Sequence, residues 1–323
     1  MTRRPQGRKE DKMLPYNLAL VSEVSGHDPG DVSRVAAALQ RQASRDLGPI
    51  WGLPPVTVDA FPTLEDVPVG YIPLVVMEEL PFEGAAGIHL DKNGQPFALI
   101  QMSDSWSLTA SHEVCELLVD PWGNRLVPGE SPKQGQGRVA FLVEVSDPSE
   151  AAQFGYTVNG ILVSDFYTPR FFDPKKVDGV RYSFTGAVKQ PRTILRGGYL
   201  SWQEPVTDSW WQQTWFGGSK PTFRELGPAE ERKGGVRAWI DEMTPHPGID
   251  QGLPKSDSSL KAAVSAGKGS AQAAGARAEA LRSEISGLKP SAKPKEGAKG
   301  GGRSGGGRSR ASSGGRSRSR SRR

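Results

Sequence analysis

One cysteine, Cys115, in a chain of 323 residues excludes an intrachain disulfide. It falls on the apolar side of a helical pattern, so it reads as a small core residue rather than a nucleophile. No run approaches 18 consecutive apolar residues, which excludes a bilayer-spanning helix. The basic lead MTRRPQGRKEDK is not followed by an apolar segment, so no secretory signal is expected. Acid is missing from the other end: from Gly297 onward there is no Asp or Glu but 9 Lys or Arg. Removing those nine charges from the net +5 leaves −4 for residues 1–296, and the first twelve residues, net +3, leave −7 for residues 13–296. The basic character therefore sits at the ends. The body between them is mildly acidic and a poor platform for nucleic acid.

Only 4 histidines are present, and one stands in the most informative stretch, Ser107 to Pro121. Ser107 or Thr109 offers a cap, and Asp120-Pro121 a stop, for a single helix. At about 100° per residue, His112, Glu113, Glu116 and Asp120 share a sector of roughly 100°. Val114, Cys115, Leu117, Leu118 and Val119 fill the remainder. A ligand pair at i and i+4 lies one turn apart and can close on one ion, as in H-E-x-x-H zinc helices. In this H-E-x-x-E version a carboxylate takes the second place, which makes the site harder and more negative. Glu113 then belongs beside the metal, where a general base for water is needed. The plain alternative is a solvated polar face on an amphipathic helix.

Upstream, the pattern predicts a strand over 16–24, a helix over 31–47 ended by Gly48-Pro49, and strands over 56–61 and 71–77. Pro73 counts against a central position for the last of these. Two extended runs, 84–90 and 96–102, flank Asn93-Gly94, a strong hairpin signal. Downstream, residues 122–137 read as a Gly/Pro-rich loop, and 138–148 as a strand or helix running into a turn. Asn159-Gly160 marks a second hairpin.

The order strand, helix, strands with a terminal hairpin, then His112-Glu113-x-x-Glu116 resembles the upper domain of zincin metallopeptidases over roughly residues 14–190. The two-part pattern H-E-x-x-E…D-P…E-V-x-D-P is similar to plant exordium-like proteins and to uncharacterised bacterial and phage proteins. The fold class so implied is α+β: a mixed twisted sheet with an antiparallel edge hairpin, packed on helices that include the H-E-x-x-E helix. The resemblance implies Zn2+ held by His112, Glu116 and either Glu144 or Asp147, with Asp120 behind the ligands orienting His112 or capping the turn. Glu113 would activate water and Tyr167 would donate to an oxyanion. It also implies an extended peptide substrate paired to the edge strand, in 87–90 or 97–101, where His89 could face the cleft.

The expected organisation is a disordered basic lead (1–13), a zincin-like metal-binding domain (14–190), a small aromatic-rich lobe of the same body (191–252) and a disordered basic tail (253–323). Within the tail, Ala271–Leu288 has the composition of a transient helix. Residues 297–323 should attract nucleic acid or another polyanion without sequence preference. Two functions follow: a metal-dependent hydrolase, most simply a peptidase, or a non-enzymatic structural or packaging protein, such as part of a phage particle, tethered by its tail. Either is expected to be cytoplasmic or virion-associated.

Overall fold

The computed structural model describes residues 14–80, 85–229 and 235–244; the lead, the tail and the Ala271–Leu288 segment lie outside the described residues. The architecture is mixed α+β. Strand β1 (Tyr16–Ser22) is followed by α1 (Pro29–Arg41), whose start is fixed by Asp28 accepting from Gly30 N at 2.9 Å. Contrary to expectation, Gly48-Pro49 does not end the helical path. A π-helical turn over Gln42–Leu47 leads into α2 (Gly48–Trp51), and the stop is Gly52 at φ 66°. Pro49 falls in the first turn of α2, where its missing N–H has no partner to lose.

Strands β2 (Val56–Phe61), β3 (Ile72–Met77), β4 (Gly87–Lys92) and β5 (Gln95–Gln101) complete a five-stranded sheet with β1, in the order β2-β1-β3-β5-β4. All its pairings are parallel except β4 with β5, so β4 is an antiparallel edge. Asn93 (φ 56°) and Gly94 (φ 78°) make the tight turn between those two strands. Strand β3 is central despite Pro73. Its pairing with β5 begins only at Leu74, so the missing N–H falls outside that ladder.

Helix α3 (Trp106–Val119) packs on this sheet and is buried all round: every residue but Ser107 is enclosed. Neither expected cap starts it. Ser105 holds the cap position, and Ser107 Oγ instead donates to Leu162 O at 2.9 Å. The stretch 122–137, expected to be loop, contains β6 (Leu126–Glu130). It carries Pro128 and Gly129 because it is an edge strand with β7 (Arg138–Leu142) as its one neighbour.

After β7 come a 3-10 turn over Asp147–Ser149 and a two-stranded hairpin, β8 (Tyr156–Val158) and β9 (Ile161–Val163), turned by Asn159 and Gly160. Strands β10 (Tyr199–Glu204), β11 (Ser209–Thr214) and β12 (Thr222–Pro228) extend β7 into a second, antiparallel sheet, ordered β12-β11-β10-β7-β6. Helix α4 (Gly235–Met243) is the last described element.

One apolar cluster joins the sheets: Leu18, Leu20, Leu74 and Ile100 meet Leu39 of α1 and Leu117 of α3, and continue to Phe141 and Trp202. The aromatic run after residue 180 is thus largely interior, with Tyr182, Tyr199, Trp202 and Trp210 buried. A smaller cluster of Leu142, Trp210, Leu226, Trp239 and Ile240 docks α4. No helix among the described residues is long and apolar enough to cross a membrane.

Candidate metal centre

Helix α3 is held in place by a buried polar chain. The π turn rotates Gln42 inward, where its Nε2 donates to Ser164 O at 2.9 Å. Ser111 Oγ donates to Gln42 Oε1 at 2.8 Å and accepts from Ser164 N at 2.8 Å. This ties α1, α3 and the end of β9 together one residue before His112.

His112 Nε2 lies 3.3 Å from Glu116 Oε1, one turn along the helix, and 3.2 Å from Asp147 Oδ1 in the 3-10 turn after β7. Glu116 Oε1 also accepts from Ser146 N at 3.1 Å, which locks the 144–147 stretch against α3. Of the two acids offered as a third ligand, Asp147 is therefore the one beside His112. Glu144 lies on the other side, with Glu116 and His89. The buried groups form two triads, each with ligand atoms within 4.8 Å of one another: His112–Asp147–Glu150 and His89–Glu116–Glu144. The triads approach each other at the His112–Glu116 contact.

Glu113 points toward edge strand β4, its Oε2 3.5 Å from His89 Nδ1. Gly87 makes that approach possible: a Cβ there would lie 2.5 Å from Glu113 Oε1 and 2.6 Å from Thr109 Cγ2. Asp120 gives its carboxylate to the chain after the helix, accepting from Arg125 N at 2.7 Å, while His112 Nδ1 has no hydrogen-bond partner. Tyr167 is fully buried, stacked on Phe171 at 4.3 Å, with its hydroxyl unpartnered.

Three further charged residues complete the cluster. Glu150 lies three residues after Asp147 on the same turn, a spacing that could have been read from the sequence. Arg237 and Asp241 of α4 had no such signal. The Arg237 guanidinium reaches Glu144 Oε2 at 2.6 Å, Asp147 Oδ2 at 3.1 Å, Glu116 Oε2 at 3.4 Å and Asp241 Oδ2 at 2.9 Å.

Electrostatics follow from burial set against these pairs. Burial pushes Glu144 and Glu150 well above the usual carboxylate range, with neighbouring acids adding to it. Burial and the Glu116 charge push Asp147 up to about 6. Burial likewise raises Asp241 to about 7. Glu116 goes the other way: burial opposes its charge, but His112 and Arg237 outweigh that and hold it well below the ordinary value. For His112, burial disfavours the imidazolium, yet Glu116 and Asp147 together raise its pKa well above normal. Burial, then the charges of Glu144, Glu116 and Asp147, raise the Tyr167 phenol.

The donor set suits a divalent ion. Ligands about 2.0–2.2 Å from a tetrahedral zinc stand about 3.3–3.6 Å apart, close to the 3.2 and 3.3 Å found around His112 Nε2. Both ring nitrogens of His89, Glu113 Oε2, Glu144 Oε1 and Asp147 Oδ1 are buried without a hydrogen-bond partner, an unusual concentration for a protein interior. These His, Glu and Asp groups could hold a metal ion. No protein-family model, curated protein or solved structure matches the chain, so the reading of this centre rests on its own geometry.

Proposed function

We propose that the chain is a zinc-dependent hydrolase, most simply a peptidase, built on a zincin-like body. One observation carries this reading: the H-E-x-x-E imidazole meets both the carboxylate one turn on and the Asp147 carboxylate at ligand-to-ligand spacing. His112, Asp147 and Glu150 would hold the ion, with Glu116 closing the set from α3. Such an ion would supply Lewis acidity to the scissile carbonyl and make water easier to deprotonate. Glu113 takes the proton of the attacking water and later returns it to the leaving amine. Tyr167 donates its hydroxyl to the developing oxyanion. Edge strand β4 pairs with an extended peptide, and Gly87 keeps that strand close to Glu113.

The test is hydrolysis of casein or a peptide pool by zinc-loaded protein. Glu113→Gln should keep its metal and lose activity. An inactive zinc-loaded wild type, or a Glu113→Gln variant as active as wild type, would overturn the assignment.

A second reading has its own support. Every group at the centre is buried and Arg237 is already seated among the acids, as suits a structural rather than a turnover site. In that reading the protein is a non-enzymatic packaging component, such as part of a phage particle, cytoplasmic or virion-associated, with residues 297–323 tethering nucleic acid. Deleting 297–323 should then abolish salt-sensitive binding to duplex DNA of arbitrary sequence. Unchanged binding after the deletion contradicts it.

A further inference from the structure

The two triads share one wall, the Glu116 carboxylate. Its Oε1 faces His112, and its Oε2 faces His89 Nδ1 at 3.7 Å. They differ in what stands inside them. The Arg237 guanidinium meets both acids of the His89–Glu116–Glu144 triad, at 2.6 and 3.4 Å, and one acid of the other, Asp147, at 3.1 Å. His89 is 1% exposed, and neither of its ring nitrogens has a hydrogen-bond partner, although one faces Glu113 and Glu116. A buried imidazole left unsatisfied between two carboxylates is the geometry of a ligand, not of a packed core histidine.

The guanidinium is placed there by its own helix. Asp241, one turn on, holds Arg237 Nε at 2.9 Å, and Tyr199 OH accepts from Nη2 at 3.4 Å. Trp239 and Ile240 anchor the helix in the small apolar cluster with Leu142, Trp210 and Leu226. Arg237 is thus delivered as a fixed cation. Its single charge is shared among Glu116, Glu144, Asp147 and Asp241, so the Glu116–Glu144 pair receives less positive charge than a divalent ion would bring.

We propose that His89, Glu116 and Glu144 form a second divalent-cation site adjoining the first, and that Arg237 closes this site to metal by filling it with its own guanidinium. The centre is then a two-cation site in which one cation is covalently part of the chain. A chelator can remove the metal from the His112 side but cannot empty the other position. The proposal builds on the metal reading above for its wild-type baseline.

The test uses the full-length protein, stripped with a chelator, reloaded with zinc alone, freed of excess ion and analysed for zinc per chain. Arg237→Ala should bind one equivalent more than wild type, and adding His89→Ala should remove that extra equivalent. Arg237→Lys, which keeps a cation in place, should match wild type. Equal zinc content in Arg237→Ala and wild type overturns the proposal, as does an extra equivalent that survives His89→Ala. If Arg237→Ala does not fold when stripped, zinc should restore its near-ultraviolet circular dichroism and a cooperative melt; failure to fold with zinc present also overturns it. A wild type that binds no zinc defeats the hydrolase reading, yet a gain of one equivalent in Arg237→Ala would still establish the second site.

Discussion

Helices α3 and α4 meet at the same carboxylates and contribute in opposite ways. Helix α3 is enclosed on nearly every side and brings acids and an imidazole into the core with few hydrogen bonds to satisfy them. Helix α4 is nine residues long, sits on a small apolar cluster of its own, and brings one cation that touches four acids. The lesson is that a buried acidic cluster needs its charge returned from somewhere, and here part of it comes from a segment far away in sequence.

The sharpest way to break that comparison is to remove the returned charge. Arg237→Ala should lower unfolding stability in chelator by about 3–5 kcal/mol, because it leaves buried carboxylates without a partner. A urea titration checks this, and a change within experimental error would mean the cluster does not depend on α4. Next is the packing of α3 against the edge strand. Gly87→Ala places a methyl on Glu113 and Thr109 and should cost about 1–3 kcal/mol by the same titration.

Ser111→Ala probes the scaffold behind His112. It strands Gln42 Oε1 and Ser164 N in the interior, for an expected loss of about 1–3 kcal/mol at the low end of that range if water enters. By contrast Trp122, half exposed, should tolerate alanine within about 0.5 kcal/mol.

The acids also fix a pH dependence. Asp147 and Asp241 have pKa values raised to about 6 and about 7, and that of His112 is raised as well. Each therefore contributes stability that is complete below its unfolded-state pKa and lost as pH rises through the folded value. Glu116 works in reverse, its contribution being lost only at acid pH below the ordinary carboxylate range. The chelated protein should accordingly melt at a lower temperature at pH ~8 than at pH ~5, and bound divalent metal should reduce the difference, since it favours the deprotonated ligands. A melting temperature that climbs over this interval contradicts the assigned environments.

How much of this was legible beforehand depended on range. Asn93-Gly94 and Asn159-Gly160 announced their hairpins because that turn chemistry is local. His112, Glu113 and Glu116 were legible because helical spacing alone puts them together. The 144–147 stretch could be narrowed to two acids, but only the three-dimensional path of the chain after β7 puts Asp147, not Glu144, against His112. Strand β6 was hidden by Pro128 and Gly129, residues an edge tolerates and a local reading takes for loop. The helical turn beyond Leu47 was hidden by Gly48-Pro49, which the path through the π turn accommodates. Arg237 was beyond reach: it pairs with Asp147 across 90 residues, and a lone arginine on an amphipathic helix reads as solvated.

The central claim is that one divalent ion is shared by the 112 imidazole and the acids around it. Elemental analysis of the full-length protein, purified without added chelator, puts it to the test most directly. The account predicts about one zinc per chain in wild type and close to none in His112→Ala. Metal-free wild-type protein that also fails to take up added zinc, or a His112→Ala variant that keeps its ion, would contradict it.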